Sequence, residues 1–192
     1  MTEKKNKSNI GLMVILLAII LIVAIFLSSF GYKIYLEKAY PKKYEEYVTK
    51  YSRIYKIDPS LVYAIIKTES NFDHLSASHA GAIGLMQLTP ETFSWLQKYT
   101  NDKDMDENFL KDQETNIKYG TLFISKLMDK YKDVETALCA YNAGMGTVDK
   151  WLNDKEISID GKKLKYIPYS ESNQYVKRCL ESRRHYKELY YK

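Results

Sequence analysis

From Ile10 to Phe30 the chain runs for 21 residues, IGLMVILLAIILIVAIFLSSF, without a single charge. As a helix rising about 1.5 Å per residue, such a stretch covers roughly the 30 Å hydrocarbon core of a bilayer. It fits a membrane span or a signal peptide. A signal peptide needs a shorter apolar core and a small-x-small cleavage site. The best candidate site, Ser29-Phe30-Gly31, is a poor match and the run is too long, which favours an uncleaved signal anchor. The expected organisation is therefore a short cytoplasmic tail (1–9), a transmembrane anchor (10–30), a juxtamembrane stalk (31–41) and one main domain (42–192). Lys4, Lys5 and Lys7 precede the span and Lys33, Lys38, Lys42 and Lys43 follow it, so charge alone does not set its orientation.

The net charge of +5 is unevenly distributed: residues 1–30 carry +2, residues 31–56 carry +4 and residues 57–192 carry −1. Basicity thus belongs to the membrane-proximal part, where it suits anionic headgroups or an anionic envelope polymer. The near-neutral main domain offers no basic face for nucleic acid. Cys139 and Cys179 fit neither a metal spacing nor a CxxC pattern. Set among apolar helical neighbours, they read as two buried thiols, and a disulfide remains open for an extracytoplasmic domain. His74, His79 and His185 show no ligand spacing with the acids, so neither a metal nor a cofactor is expected.

Helical spacing dominates the main domain. Tyr44, Tyr47, Val48, Tyr51, Ile54 and Tyr55 form one amphipathic stripe, and Asp58-Pro59 looks like an N-cap followed by proline at the first helical position. Further helices are expected over Pro90 to Tyr99, Asn116 to Tyr131, Val134 to a stop at Gly144, Val148 to Trp151, and Ser172 to Tyr190. Only ISIDGKKLKYIPY suggests extended structure, as a short hairpin turning at Asp160-Gly161. The expected fold class is mainly α.

One stripe ends in a charge. In a helix from Pro59, Leu61, Ile65 and Glu69 share a face, flanked by Val62 and Ile66. Partial burial disfavours a carboxylate, and the negative end of the helix dipole acts in the same direction, so Glu69 is a candidate general acid. The bland alternative is a solvated glutamate at a helix end. The following loop contains Ser78, Gly81, Gly84 and Gln87, residue types that permit close backbone approach and amide recognition.

Three blocks then carry a resemblance. E69-S-x-F72 with S78-x-x-G81-A-x-G84-L-M-Q87-x-x-P90, then ALCAYNAGMGTVDKW (137–151), then IPYSESNQYVKRC (167–179), occur in order across about 110 residues. Together they resemble the lytic transglycosylases of the soluble lytic transglycosylase type, glycoside hydrolase family 23, which are goose-lysozyme-like. The resemblance implies a lysozyme-like helical domain cleaving the β-1,4 bond between N-acetylmuramic acid and N-acetylglucosamine in peptidoglycan. Glu69 would be the catalytic acid/base, with Ser78 beside it. Gln87, Tyr141 and Asn142 would line the sugar sites, and Glu171 and Tyr175 would close them from the third block. His74, Ser76, Ala77 and the two cysteines depart from the family pattern without removing a chemical group from the site.

Glycoside cleavage usually employs two carboxylates. Asp73 is a tempting partner, but the family pattern requires no acid there and a loop-capping role fits it better. In the resemblance the substrate's own acetamido group and C6 hydroxyl replace the second carboxylate, leaving a 1,6-anhydromuramoyl end. The implied partners are glycan strands and, through the N-terminal helix, the cytoplasmic membrane, with the catalytic domain extracytoplasmic; envelope-complex partners stay unspecified. Two rivals are a goose-type lysozyme that hydrolyses the bond and a non-catalytic glycan-binding scaffold.

Overall fold

The computed structural model describes residues 2–102 and 105–191. It divides into two compact units, residues 1–41 and 42–192. In the first unit a single helix, α1 (Thr2–Ala39), runs through both the apolar stretch and the segment expected as a stalk. At 38 residues it would measure about 57 Å. Its portion Ile15–Ala39 is long and apolar enough to cross a membrane.

The second unit is helical, as its periodicity implies. Its elements are α2 (Glu45–Tyr55), α3 (Pro59–Glu69), α4 (Pro90–Gln97), a 3-10 turn (Glu107–Lys111), α5 (Gln113–Tyr131), α6 (Val134–Ala143), α7 (Met145–Asn153) and α8 (Ser170–Tyr190). Among the described residues β-structure is limited to isolated bridges. One of them, Ser158 to Leu164, closes the short turn around Asp160-Gly161, where Gly161 has φ +76°.

Aspartates start the helices that build the core. Asp58 accepts from Ser60 N–H at 2.9 Å, Asp112 from Thr115 N–H at 2.8 Å and Asp133 from Thr136 N–H at 2.9 Å. Each satisfies a donor that a helix N-terminus leaves unpaired. The cap at Asp112 starts α5 three residues before Asn116, where sequence periodicity begins the helix. Pro59 at the first position of α3 has its φ already set for helix.

α3 is the central element. Leu61, Val62, Tyr63, Ala64, Ile65 and Ile66 are all buried, and the helix packs most extensively against α8. Each large apolar side chain enclosed this way is worth about 1.5–3 kcal/mol. Tyr63 stacks on Tyr186 of α8 with ring centroids 5.0 Å apart. At the start of α3, Asp58 also receives Arg183 at 3.0 Å and Lys187 at 3.2 Å from α8. The α3–α8 contact is thereby fixed at the start of α3, and the last residue of α3 is Glu69.

Candidate active site

α3 stops at Glu69 because Ser70 redirects the chain. Ser70 Oγ donates to the carbonyl of Leu85 at 2.8 Å, and the Phe72 N–H donates back to that hydroxyl at 3.2 Å. Asn71 and Phe72 then adopt φ +50° and +68°, the left-handed region that non-glycine residues seldom enter. Buried Phe72, tilted against the Tyr63 ring, holds the turn in place. The outcome is a carboxyl group at the end of an apolar helix, facing protein rather than bulk water.

The loop after it is tied closely to itself. Ile83 and Leu88 exchange backbone hydrogen bonds at 2.9 and 3.1 Å, and Gly84 N–H donates to the Ser76 carbonyl at 2.8 Å. Gly84 has φ +81°, and a Cβ there would collide with the Asn116 amide and the Leu110 carbonyl oxygen. Buried Asn116 is the external anchor. Its Oδ1 accepts from Met86 N–H at 2.7 Å, while its Nδ2 donates to the carbonyls of Ile83 at 2.9 Å and Leu110 at 2.8 Å. At Gly120, one turn along α5, a Cβ would strike the Met86 side chain, so the loop lies directly on the helix.

Tyr141 of α6 reaches the same loop. Its hydroxyl donates to the Met86 carbonyl at 2.8 Å, fully buried, and it interacts electrostatically with Glu69. From α8, Tyr175 is buried beside Glu69, its phenol short of a hydrogen bond of regular geometry. The buried Cys179 thiol lies one turn further along α8, against Thr68 and Tyr175 and within electrostatic reach of Glu69. Three helices therefore converge on one carboxyl.

The electrostatic consequence is large. Loss of hydration raises the Glu69 pKa from 4.5 to about 7, and the Tyr175 phenol and the Arg178 guanidinium, which pull it down, offset only part of that. The residue as a whole retains partial exposure. Among the described residues no carboxylate contributes to the rise, which burial alone produces. Such an acid holds its proton close to neutral pH and can both give and take one.

Of the residues singled out from sequence, Glu69, Tyr141 and Tyr175 come together here. Ser78 lies on an exposed turn, its Oγ accepting from Ala82 N–H at 3.0 Å. Gln87, at φ +48°, uses its amide nitrogen on the carbonyls of Ser76 at 3.0 Å and Gly84 at 2.9 Å. Asn142 is half-buried directly after Tyr141, and Glu171 is exposed in the first turn of α8. Asp73 accepts from the Leu75 N–H at 3.0 Å, the work of a loop cap. Cys139 and Cys179 are both free and buried. Among the described residues no three His, Cys, Asp or Glu side chains gather in a metal-ligating group.

Ser70, Asn116 and Arg178 were not among the sequence candidates. Asn116 did leave a signal, a polar residue on the same helical face as Gly120, Phe123 and Leu127, the same anomaly that marks Glu69. Ser70 and Arg178 stand inside the first and third blocks, but nothing in their spacing singled them out for a role.

Comparison with known proteins places these features in a wider group. The transglycosylase SLT domain model matches residues 46–173. The soluble lytic murein transglycosylase of Salmonella typhimurium is 34% identical over 149 residues, covering 76% of this chain and 23% of that protein. Membrane-bound lytic murein transglycosylase C of Actinobacillus pleuropneumoniae is 35% identical over 130 residues, covering 62% of this chain and 36% of that protein. The 70 kDa soluble lytic transglycosylase of Escherichia coli superposes with a TM-score of 0.71 at 28% identity, covering 80% of this chain and 25% of that structure. The expected lysozyme-like helical fold agrees with this likeness. The chain spans only about a quarter to a third of the length of these relatives.

Proposed function

The chain belongs to the transglycosylase SLT domain family, and from that premise we propose that it is a membrane-anchored peptidoglycan lytic transglycosylase cleaving the MurNAc-β-1,4-GlcNAc bond. The observation that carries the reading is the enclosed Glu69 carboxyl, with a pKa of about 7 and, among the described residues, no carboxylate acting on it. One acid serves both steps. Protonated Glu69 gives its proton to the glycosidic oxygen as the bond from C1 to that oxygen breaks. The substrate's acetamido oxygen closes on C1 and stabilises the developing cation, replacing a protein nucleophile. Glu69, now a carboxylate, takes the proton from the muramoyl C6 hydroxyl, whose oxygen attacks C1 and displaces the acetamido group. The enzyme ends protonated as it began, no water is consumed, and the product carries a 1,6-anhydro ring.

An intramolecular hydroxyl held in place has an effective molarity that can reach about 10⁵ M or more, enough to exceed water at the same carbon. Tyr141 and Tyr175 enclose the acid and supply the low-polarity surround that its pKa needs. Ser78, Gln87, Asn142 and Glu171 are assigned to substrate contacts around this centre. Gln87 does so with its amide oxygen, since its nitrogen holds the loop.

The apolar α1 helix and a relative named as membrane-bound support an anchored protein. Peptidoglycan lies outside the cytoplasmic membrane, so the catalytic domain is placed outside and residues 1–9 inside. The deciding experiment digests purified peptidoglycan with the full-length chain and weighs the fragments. Ends one water lighter than reducing ends are expected. Reducing ends alone would make the enzyme a lysozyme, and no cleavage would make it a scaffold.

A further inference from the structure

One face of α8 is open where the helix passes Glu69. Residues three, four or seven apart on a helix share a face, and Arg178, Ser182 and His185 are spaced in this way along α8. Ser182 and His185 are each only 7% exposed, yet Arg178 is exposed, as are Gln174 and Glu171 on the two turns before it. The face is therefore covered toward the end of α8 and bare at its beginning. That bare end is where Tyr175 and Cys179, the buried neighbours of Arg178, lie against Glu69 and Thr68. The open strip thus borders the catalytic carboxyl, and Arg178 is its cation.

The other two arginines of α8 are engaged, Arg183 with Asp58 and Arg184 with Glu188, both at 3.0 Å. Among the described residues no hydrogen bond or ion pair occupies the Arg178 guanidinium, although its charge is felt by both Glu69 and Cys179. A guanidinium presents a planar fork of donors that matches a carboxylate with two parallel hydrogen bonds. The substrate brings such a group. A muramoyl sugar carries a lactyl ether at C3 of the same ring whose C1 is attacked. On a peptide-free strand this substituent ends in a carboxylate, and on a peptide-bearing strand it continues into a stem with carboxylates of its own.

We propose that Arg178 binds a carboxylate on the C3 substituent of the muramoyl sugar being cut. The contact seats that sugar, rather than its unsubstituted neighbour, with its C1 at Glu69. The proposal rests on the glycan-cleaving reading of the Glu69 site and adds to it the substrate group that sets the register of the strand.

The test compares kcat/KM of the full-length chain in detergent on peptide-free strands with free lactyl carboxylates, the same strands with those carboxylates converted to methylamides, and strands bearing stem peptides. Because the Arg178 charge also acts on Glu69, rates are taken well below the alkaline limb of the pH profile. Arg178→Gln is expected to lower the preference for a carboxylate-bearing strand over the methylamide by about tenfold, equivalent to about 1.4 kcal/mol, through KM more than kcat. Arg178→Lys keeps the charge without the fork and should lose less. A loss on peptide-free strands identifies the lactyl group as the source of the carboxylate, whereas a loss confined to peptide-bearing strands identifies the stem. An unchanged preference on both kinds of strand overturns the contact, and so does an equal fall on all three substrates, which would leave Arg178 a general electrostatic or structural role. Cosedimentation with insoluble peptidoglycan before and after amidation needs no cleavage. If the wild-type chain proves not to be a transglycosylase, weaker sedimentation of Arg178→Gln on the unmodified material alone still supports the contact, and equal sedimentation rejects it.

Discussion

A glutamic acid in water titrates near 4.5, and Glu69 is held near 7 chiefly because folding strips its hydration. Its folded pKa lies above its unfolded one, so the folded state holds the proton more tightly. Below about pH 4.5 both states are protonated and the residue costs nothing. As pH rises toward and through about 7 the cost of an enclosed carboxylate becomes complete, at about 2–3 kcal/mol for a group that keeps some exposure. Glu69→Gln should therefore lose at least about a hundredfold in cleavage yet gain about 2–3 kcal/mol of stability at pH 8, with no gain at pH 4. Urea unfolding at the two pH values measures this, and equal stability at both would mean that the acid is ordinary. Tyr175 and Arg178 pull the pKa down, so Tyr175→Phe should raise it further. The alkaline limb of kcat/KM would then move to higher pH, and a limb that stays in place would separate Tyr175 from the acid.

At the scale of elements, α3 delivers the carboxyl and α5 holds the loop over it. Replacing Asn116 by Ala would leave the Met86 N–H and the carbonyls of Ile83 and Leu110 without their buried partner. A loss of about 2–4 kcal/mol follows. Hydrogen exchange at the Met86 amide should accelerate with it, and retained protection there would show that the loop holds itself. The helices were legible in the sequence because they repeat apolar stripes, and α3, α4, α5 and α6 also begin at an aspartate or proline. Glu69 was legible because it interrupts such a stripe. The loop was not, because its closure depends on a side chain 30 residues away and on left-handed turns at Asn71, Phe72 and Gln87, where no glycine announces them. Gln87, chosen from sequence as a sugar contact, has its amide nitrogen engaged in holding the loop for the same reason.

The whole molecule consists of an apolar helix and a helical unit with a core of its own. Within the second unit, Asp58 ties the start of α3 to α8. Burial alone would raise its pKa, but the Ser60 hydroxyl, Arg183, the Ser60 N–H and Lys187 outweigh that and hold it at about 2. This is the opposite sign to Glu69. The contribution is complete above about 3.8 and disappears as pH falls toward 2, worth about 1–2 kcal/mol for a partly exposed group. Asp58→Asn should destabilise the domain at pH 7 and make no difference at pH 2. The run from Ile10 to Phe30 was recognisable by length and lack of charge, but its direction was not, since lysines lie on both sides. If the helix only anchors, a chain beginning at Lys42 should unfold at the same temperature as the full-length protein and still cut purified peptidoglycan, while moving from the membrane fraction to the soluble one. A fragment that stays with membranes would shift the attachment to the helical unit, and one that melts lower would mean that α1 supports the fold as well as tethering it.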